Sequence, residues 1–404
     1  MRASTLAEYS AGTIDTTASV GPTYSEDPEK NMARYKVALA AGGTGGHVYP
    51  AIAVADAMQG VADVVFVGGD RLEAAAVPAA GYDLEQIRAV RRPPGFLGVV
   101  GFLRDFSLAA LEARRVLREH RPDVVVGFGS YISAPTVLVA RLRGTPTLVH
   151  EQNVQLGATN RVMCRLGATV LASFPETEKS LRRSRIVVTG CPVRSGIGSI
   201  SRPDARAALG VPSEAVVCLV VGGSLGAVAL NEAAHRLVEH DSLVPERLIV
   251  HICGEKYYES ATAWRNELAE SRQDDYILLP YTDEMHLYLA AADVIISRSG
   301  SSTVNEILCA GRAAILIPSP NVTEDHQMKN AIVVQEAGGA LVISEDEIGE
   351  RLVSEAELLL GSSSRRRSME AASRDAALGG DALHRLRDVL LRRLGASSDT
   401  GAGS

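Results

Sequence analysis

A chain of 404 residues is long enough to bury two apolar cores of ordinary domain size. With 46% hydrophobic residues but only 4% aromatics, it reads as an α/β protein built on Ala, Val, Leu and Ile. A net charge of −7 disfavours a general nucleic-acid binder, which must neutralise phosphates.

Residues 1–33 are rich in Ser, Thr, Gly and acids without a sustained apolar period, and are expected to form a disordered tail. They lack the basic-then-apolar plan of a signal peptide. No later stretch reaches the ~18–20 apolar residues of a membrane span, so a cytoplasmic protein is expected. Strands are then expected at 36–41, 64–67, 123–127, 147–150 and 169–172, alternating with helical periodicity. The stretch Val188-Thr189-Gly190-Cys191-Pro192-Val193-Arg194 ends a strand and marks the hinge. Further strands are expected at 216–221, 248–252, 276–279, 294–297 and 313–317. Such alternation implies a mainly parallel sheet in each half. The expected domains are 34–193 and 194–365, followed by a terminal helix and flexible tail over 366–404. Cys164, Cys191, Cys218, Cys253 and Cys309 have no metal-type or redox-type spacing and read as buried thiols of a reducing compartment.

One local pattern occurs twice: an apolar run precedes Gly42-Gly43-Thr44-Gly45-Gly46, and another precedes Gly222-Gly223-Ser224-Leu225-Gly226. Each has the form of a buried strand, a glycine-rich turn and a helix start, where free N–H groups and the helix dipole favour an anion. Tight strand-to-helix packing is the competing account of such glycines. The first copy continues into His47 and the second into Ala227, so only the first carries a titratable group. No Gly-Lys-Ser/Thr follows, and Val48 stands where a dinucleotide fingerprint needs its third glycine, which argues against an ATPase or a dehydrogenase. An imidazole, with a pKa near ~6.5, is disfavoured in its protonated form at a helix N-terminus and is available as a base. A histidine that only caps or packs is the alternative.

His150-Glu151-Gln152-Asn153, with Gly157 and Asn160, puts polar groups at the carboxyl edge of a strand, where open α/β sheets bind ligands. Helix capping explains the same residues more plainly. The run Ser297-Arg298-Ser299-Gly300-Ser301-Ser302-Thr303-Val304-Asn305-Glu306 is more specific. Its turn amides and hydroxyls suit a diphosphate, and a carboxylate early in the helix suits a ribose diol; a serine cap with an acid near the dipole is the rival. Gln327 and Asn330 share a helix face and can read sugar hydroxyls or an amide. From Gln86 to Arg121, eight arginines stand against Asp105, Glu112 and Glu119, a local charge of +5 (8 − 3). That window holds Phe96, Phe102 and Phe106, three of the six phenylalanines. An apolar segment flanked by arginines has the composition of an anchor for an anionic bilayer. Buried core competes with that reading, and Gly95, Gly98 and Gly101 weaken the case for a regular helix.

Taken in order, Gly42–His47, Gly127–Pro135, His150–Asn153, Gly190–Arg194, Gly222–Ala227 and Arg298–Glu306 closely resemble the MurG family, the UDP-N-acetylglucosamine transferases of bacterial peptidoglycan synthesis. The resemblance covers about 35–343. It implies the GT-B architecture, two Rossmann-like domains with parallel sheets facing a central cleft, working peripherally at the inner face of the cytoplasmic membrane. It implies inverting transfer of GlcNAc from UDP-GlcNAc to the MurNAc 4-hydroxyl of undecaprenyl-diphosphate-MurNAc-pentapeptide, with neither metal nor cofactor. An anionic membrane surface would be met through the 91–106 region. On matching positions, Thr44, Gly45, Gly46 and Asn153 would face donor sugar or acceptor. Arg194, Ser224 and Thr282 would lie near the uridine and phosphates, and Ser301, Ser302, Thr303 and Glu306 would bind diphosphate and ribose. Gln327 would contact the GlcNAc, with Asn330 beside it, and His47 would be the base. Leu225 departs from a Gln common in the family, and Ser130 and Ala134 replace glycines of a second glycine-rich loop. Another GT-B UDP-sugar enzyme, an epimerase among them, and a catalytically silent UDP-sugar-binding scaffold are the alternatives.

Overall fold

The computed structural model describes residues 35–90, 96–180, 185–223, 226–377 and 381–395. Strands β1 (Tyr35–Ala40), β2 (Ala62–Gly68), β3 (Asp83–Gln86), β4 (Val124–Gly127), β5 (Thr147–Glu151), β6 (Thr169–Ala172) and β7 (Ile186–Val188) form one sheet in the order 3-2-1-4-5-6-7. A second sheet holds β8 (Val216–Val221), β9 (Arg247–Ile252), β10 (Tyr276–Leu279), β11 (Val294–Ser297), β12 (Ala313–Leu316) and β13 (Ala340–Val342), in the order 10-9-8-11-12-13. All described pairings are parallel.

Interior strands read as unbroken apolar runs because helices cover both faces of a parallel sheet. In β8, Cys218 and Val220 enter one core while Val217, Leu219 and Val221 enter the other, the period of two of a pleated strand. All ten expected strands form. The others are β3, a partly exposed edge of sequence Asp-Leu-Glu-Gln with no apolar run to announce it, and two short strands, β7 and β13, each three residues long.

In both sheets the first and fourth strands lie side by side, so their following connections leave on opposite sides and open a crevice at the carboxyl edge. The glycine turns follow β1 and β8, the first and central strand of each sheet.

The chain crosses between domains after β7 and returns near its end. The helix Ser363–Ala376 stays with the second domain, placing Met369 in its core. The helix Ala382–Leu394 instead packs on the first, where Leu386 and Leu390 join Val37, Leu39, Val54 and Met58. The two crossings touch: Arg385 Nε donates to the Thr189 carbonyl at 2.9 Å, and Gly190 lies against Ala382. Part of the expected 366–404 tail is thus a wall of the first domain.

Candidate active site

The first glycine turn already holds an anion, and the protein supplies it. Glu73, buried at the start of the helix Leu72–Ala79, accepts from the amides of Gly43 at 2.8 Å and Gly69 at 2.9 Å. A Cβ on Gly42 would overlap the Glu73 carboxyl and Ile132, which explains the glycine there. Sequence reasoning passed over Glu73; the available signal was an acid in the first turn of a helix, 30 residues from the amide it binds.

Thr44 ends the turn in an extended conformation and its carbonyl accepts from the amides of His47 and Val48, opening the helix Gly45–Ala57. His47 Nδ1 lies 3.1 Å from Thr44 Oγ1. Its ring rests beside Gly129, where a Cβ would come within 3.3 Å of Nε2. Burial pulls the His47 pKa from 6.5 down to about 4, and the charge of Glu73 opposes that shift. The imidazole is therefore neutral at pH 7. Ser130 follows at φ +67°, a left-handed conformation that costs a non-glycine residue about 1–2 kcal/mol. Ala134 sits in the core of the next helix.

At the end of β5, His150 is fully buried, with Nε2 3.2 Å from the Gly190 carbonyl, and burial lowers it to about 4. Glu151 shapes the loop that follows. One carboxylate oxygen accepts from Asn153 N and Nδ2, both at 3.1 Å, and the other from Gly157 N and Asn160 Nδ2, both at 2.9 Å. Of the four polar residues, Asn153 reaches the other domain: its Oδ1 accepts from Asn330 Nδ2 at 3.1 Å. Asn330 Oδ1 in turn accepts from Val154 N at 3.0 Å, and its Nδ2 also meets the Ser299 carbonyl at 3.3 Å. The buried Asn330 carboxamide is committed to the domain junction, and Lys329 adds a hydrogen bond to Gln155 beside it.

In the second domain, Ser224 and Leu225 lie outside the described residues. Gly223 and Gly226 flank them at φ +87° and +71°. After β11, Ser299 is buried with its hydroxyl donating to the Gln327 carbonyl at 2.8 Å. Arg298 turns away from the cleft to the carbonyls of Ile317 and Pro318 and to Glu345, bracing the loop after β12. The helix Ser301–Ala310 then begins directly opposite the first domain. A Cβ on Gly46 would stand 3.5 Å from Ser302 Oγ and 3.7 Å from Ser301 Oγ. Ser302 Oγ is buried with no hydrogen-bond partner among the described residues, and Thr303 is half-buried in the same turn.

Glu306 accepts a two-pronged ion pair from Arg194, Nε at 2.8 Å and Nη2 at 2.9 Å. Its oxygens retain lone pairs for a diol. The Arg194 guanidinium lies 5.4 Å from the centre of the Tyr49 ring. Tyr281 stands near Tyr49; burial, then that neighbour, push its hydroxyl up to about 12. Thr282 Oγ1 accepts from Glu284 N at 3.0 Å. Gln327 Oε1 accepts from Ser319 N at 2.9 Å, while its NH₂ has no partner among the described residues.

The structure thus gathers Thr44, Gly45, Gly46, His47, Ser301 and Ser302 at two opposed helix N-termini, with Arg194 and Glu306 near by. Each terminus carries roughly half a positive charge, so together they favour an anion at this junction. Tyr49 and Tyr281 join from opposite sides and were not anticipated from sequence.

Two parallel-sheet domains with helix N-termini converging on one cleft form the GT-B architecture. Residues 37–172 match the N-terminal domain of glycosyltransferase family 28, and residues 217–384 match its C-terminal domain. A UDP-N-acetylglucosamine--N-acetylmuramyl-(pentapeptide) pyrophosphoryl-undecaprenol N-acetylglucosamine transferase of Salinibacter ruber is 40% identical over 360 residues, 88% of this chain and 96% of that protein. The equivalent transferase of Desulfitobacterium hafniense is 34% identical, covering 88% of this chain and 98% of its own. The crystal structure of Acinetobacter baumannii MurG superposes with a TM-score of 0.70 at 28% identity, covering 89% and 100% of the two chains. The chain belongs to the MurG family of glycosyltransferases.

Proposed function

We propose that this enzyme transfers GlcNAc from UDP-GlcNAc to the MurNAc 4-hydroxyl of undecaprenyl-diphosphate-MurNAc-pentapeptide, with inversion. The observation that carries the site assignment is the approach of Gly46 to Ser301 and Ser302, which sets the helix start bearing His47 against the helix start of Ser301–Ala310. The acceptor oxygen attacks the anomeric carbon as the bond to the UDP phosphate breaks. Its proton passes to His47 Nε2, and the electron pair leaves with UDP. The N-terminus of Ser301–Ala310, its hydroxyls and Arg194 meet the charge that develops there. Glu306 receives the ribose diol, Gln327 the acetamido sugar, Thr282 and the Ser224 turn the uridine side, and Asn153 with Asn330 sets the closure of the cleft. Labelled UDP-GlcNAc and a short-chain acceptor analogue should yield the disaccharide lipid; UDP-GlcNAc binding without product would leave only the silent scaffold, and epimerised donor would identify an epimerase.

Peripheral attachment to the cytoplasmic face of the bacterial membrane belongs to the same reading. The helix Phe96–His120 runs through Gly98 and Gly101, contrary to the expectation from those glycines, because Ala109, Ala113, Val116 and Leu117 anchor its later turns. Phe102 and Phe106, with ring centres 5.9 Å apart, are half-buried and pack on Val67, Ile87 and Val90. They act as a pedestal, and the outward side chains are Val99, Val100 and Leu103, with Arg104, Arg114, Arg115 and Arg118 exposed along the helix. Residues 91–95 of the expected anchor lie outside the described residues. Among those described, no helix is long and apolar enough to cross a membrane. Leu103, 58% exposed, is the place to test attachment. Leu103→Asp should weaken binding to anionic liposomes roughly tenfold while leaving turnover of a soluble acceptor unchanged. Undiminished liposome binding would remove this face from the reading.

A further inference from the structure

Behind the second glycine turn runs a buried chain of hydrogen bonds. Asn231, in the first turns of the helix Val228–Glu239, donates from Nδ2 to the Cys253 carbonyl at 3.2 Å. Its Oδ1 lies 3.0 Å from His251 Nε2, and His251 Nδ1 lies 2.7 Å from the Tyr276 hydroxyl. His251 and Tyr276 are sealed from solvent, and Trp264 closes over Tyr276 edge-on at 5.8 Å between centres.

Only one assignment of protons satisfies all three contacts. A carbonyl can only accept, so the end of Asn231 facing Cys253 is the NH₂ and the other end is the acceptor. His251 Nε2 must therefore carry the hydrogen, which leaves Nδ1 with the lone pair. The Tyr276 hydroxyl is then the donor. Burial holds His251 far down, at about 3, so the neutral ring that this order needs is the only form at neutral pH.

The far end of the chain bears on the turn. A Cβ on Gly226 would collide with the Cys253 carbonyl, so this oxygen forms the floor on which the turn rests. Gly226, at φ +71°, also donates its amide to the Gly223 carbonyl at 3.0 Å. A shift of the Cys253 carbonyl therefore bears on Gly226 and, through that hydrogen bond, on Gly223.

We infer that Asn231, His251 and Tyr276 are positioning residues for the donor: a directional relay that fixes the Cys253 carbonyl and through it Gly226 and Gly223, the glycines that flank the donor-side turn. The inference rests on the reading of that turn as part of the donor site. His251 and Tyr276 have almost no contact with solvent, so loss of one member leaves its buried partner unsatisfied.

Steady-state kinetics with varied donor and varied soluble acceptor test it. Asn231→Ala should raise the KM for UDP-GlcNAc roughly tenfold, with acceptor KM and kcat at saturating donor within twofold of the parent. Tyr276→Phe removes one hydroxyl without changing shape, so it keeps the test alive should Asn231→Ala fail to fold; it should raise donor KM about threefold to fivefold. A donor KM within twofold of the parent in folded Tyr276→Phe overturns the relay, as does an equal rise in both KM values. Gly223→Ala, at φ +87° with open space around it, strains the turn directly. If it raises donor KM while the relay variants do not, the relay alone is wrong. If it leaves donor KM unchanged, the donor reading of the turn is wrong.

Discussion

Replacing His47 with alanine is expected to lower kcat by about 10²–10⁴ while the KM for UDP-GlcNAc changes less than threefold. The acceptor hydroxyl is a poor nucleophile until its proton leaves, and His47 is the titratable group at the helix start that faces Ser301 and Ser302 across Gly46. Thr44 Oγ1, 3.1 Å from Nδ1, is able to accept from an Nδ1–H, the tautomer that the mechanism needs because it leaves the Nε2 lone pair for the acceptor. The pH dependence follows from the sign of the shift. The folded-state pKa of about 4 lies below the ordinary 6.5, so the ring gains its proton only as pH falls well below neutrality. The wild-type kcat/KM should therefore be flat between about pH 6 and 8 rather than falling with a midpoint near 6.5. Unchanged turnover in the alanine variant would sink the base assignment. An acid limb centred near 6.5 that His47→Ala abolishes would keep the base and refute its depressed pKa.

Glu73→Gln should cost both stability and rate. One carboxylate oxygen becomes an NH₂ group, and whichever way the amide turns, a donor faces the N–H of Gly43 or Gly69. Loss of a hydrogen bond to a charged acceptor is worth about 1.5–3 kcal/mol, or roughly 5–10 °C in the midpoint of a domain of this size. The turn carries Thr44 and leads into His47, so its relaxation moves the base. Removing the negative charge also takes away what raises the imidazole pKa, so the base weakens further. A drop in kcat of at least tenfold is the expected result, with the donor KM spared because Glu73 is remote from the second turn. If melting falls but kcat holds, Glu73 is only a structural brace.

The interior strands were legible because burial on both faces writes Val, Leu and Ile without interruption, as in Val124–Gly127 and Val216–Val221. The glycine turns and helix starts were legible for a local reason, namely backbone conformations that few residues tolerate. What stayed hidden depends on partners distant in sequence. Asn153 reads as a residue facing donor sugar or acceptor and Asn330 as one reading sugar hydroxyls or an amide, while their mutual bond spans 177 positions. Arg194 and Glu306 were each named for nucleotide contacts, yet their ion pair, 112 positions apart, has no local signature. Glu73 escaped because the first glycine turn reads as an empty anion site when its own carboxylate lies outside the motif. The bilayer reading placed Phe102 outward, since composition cannot distinguish a side chain supporting a surface from one forming it.

The returning helix Ala382–Leu394 sets a constraint on synthesis. It packs on Gly45–Ala57, the helix that carries His47, and supplies Leu386 and Leu390 to a core begun at Val37. Strand β7 ends at Val188, so the ribosome must add nearly two hundred further residues before that core closes. At typical rates this takes on the order of 10–40 s, during which the nascent first domain carries an uncovered apolar stripe. A chain cut short before Ala382 would keep every glycine turn and every polar ligand, and would still lack the seat of its own base.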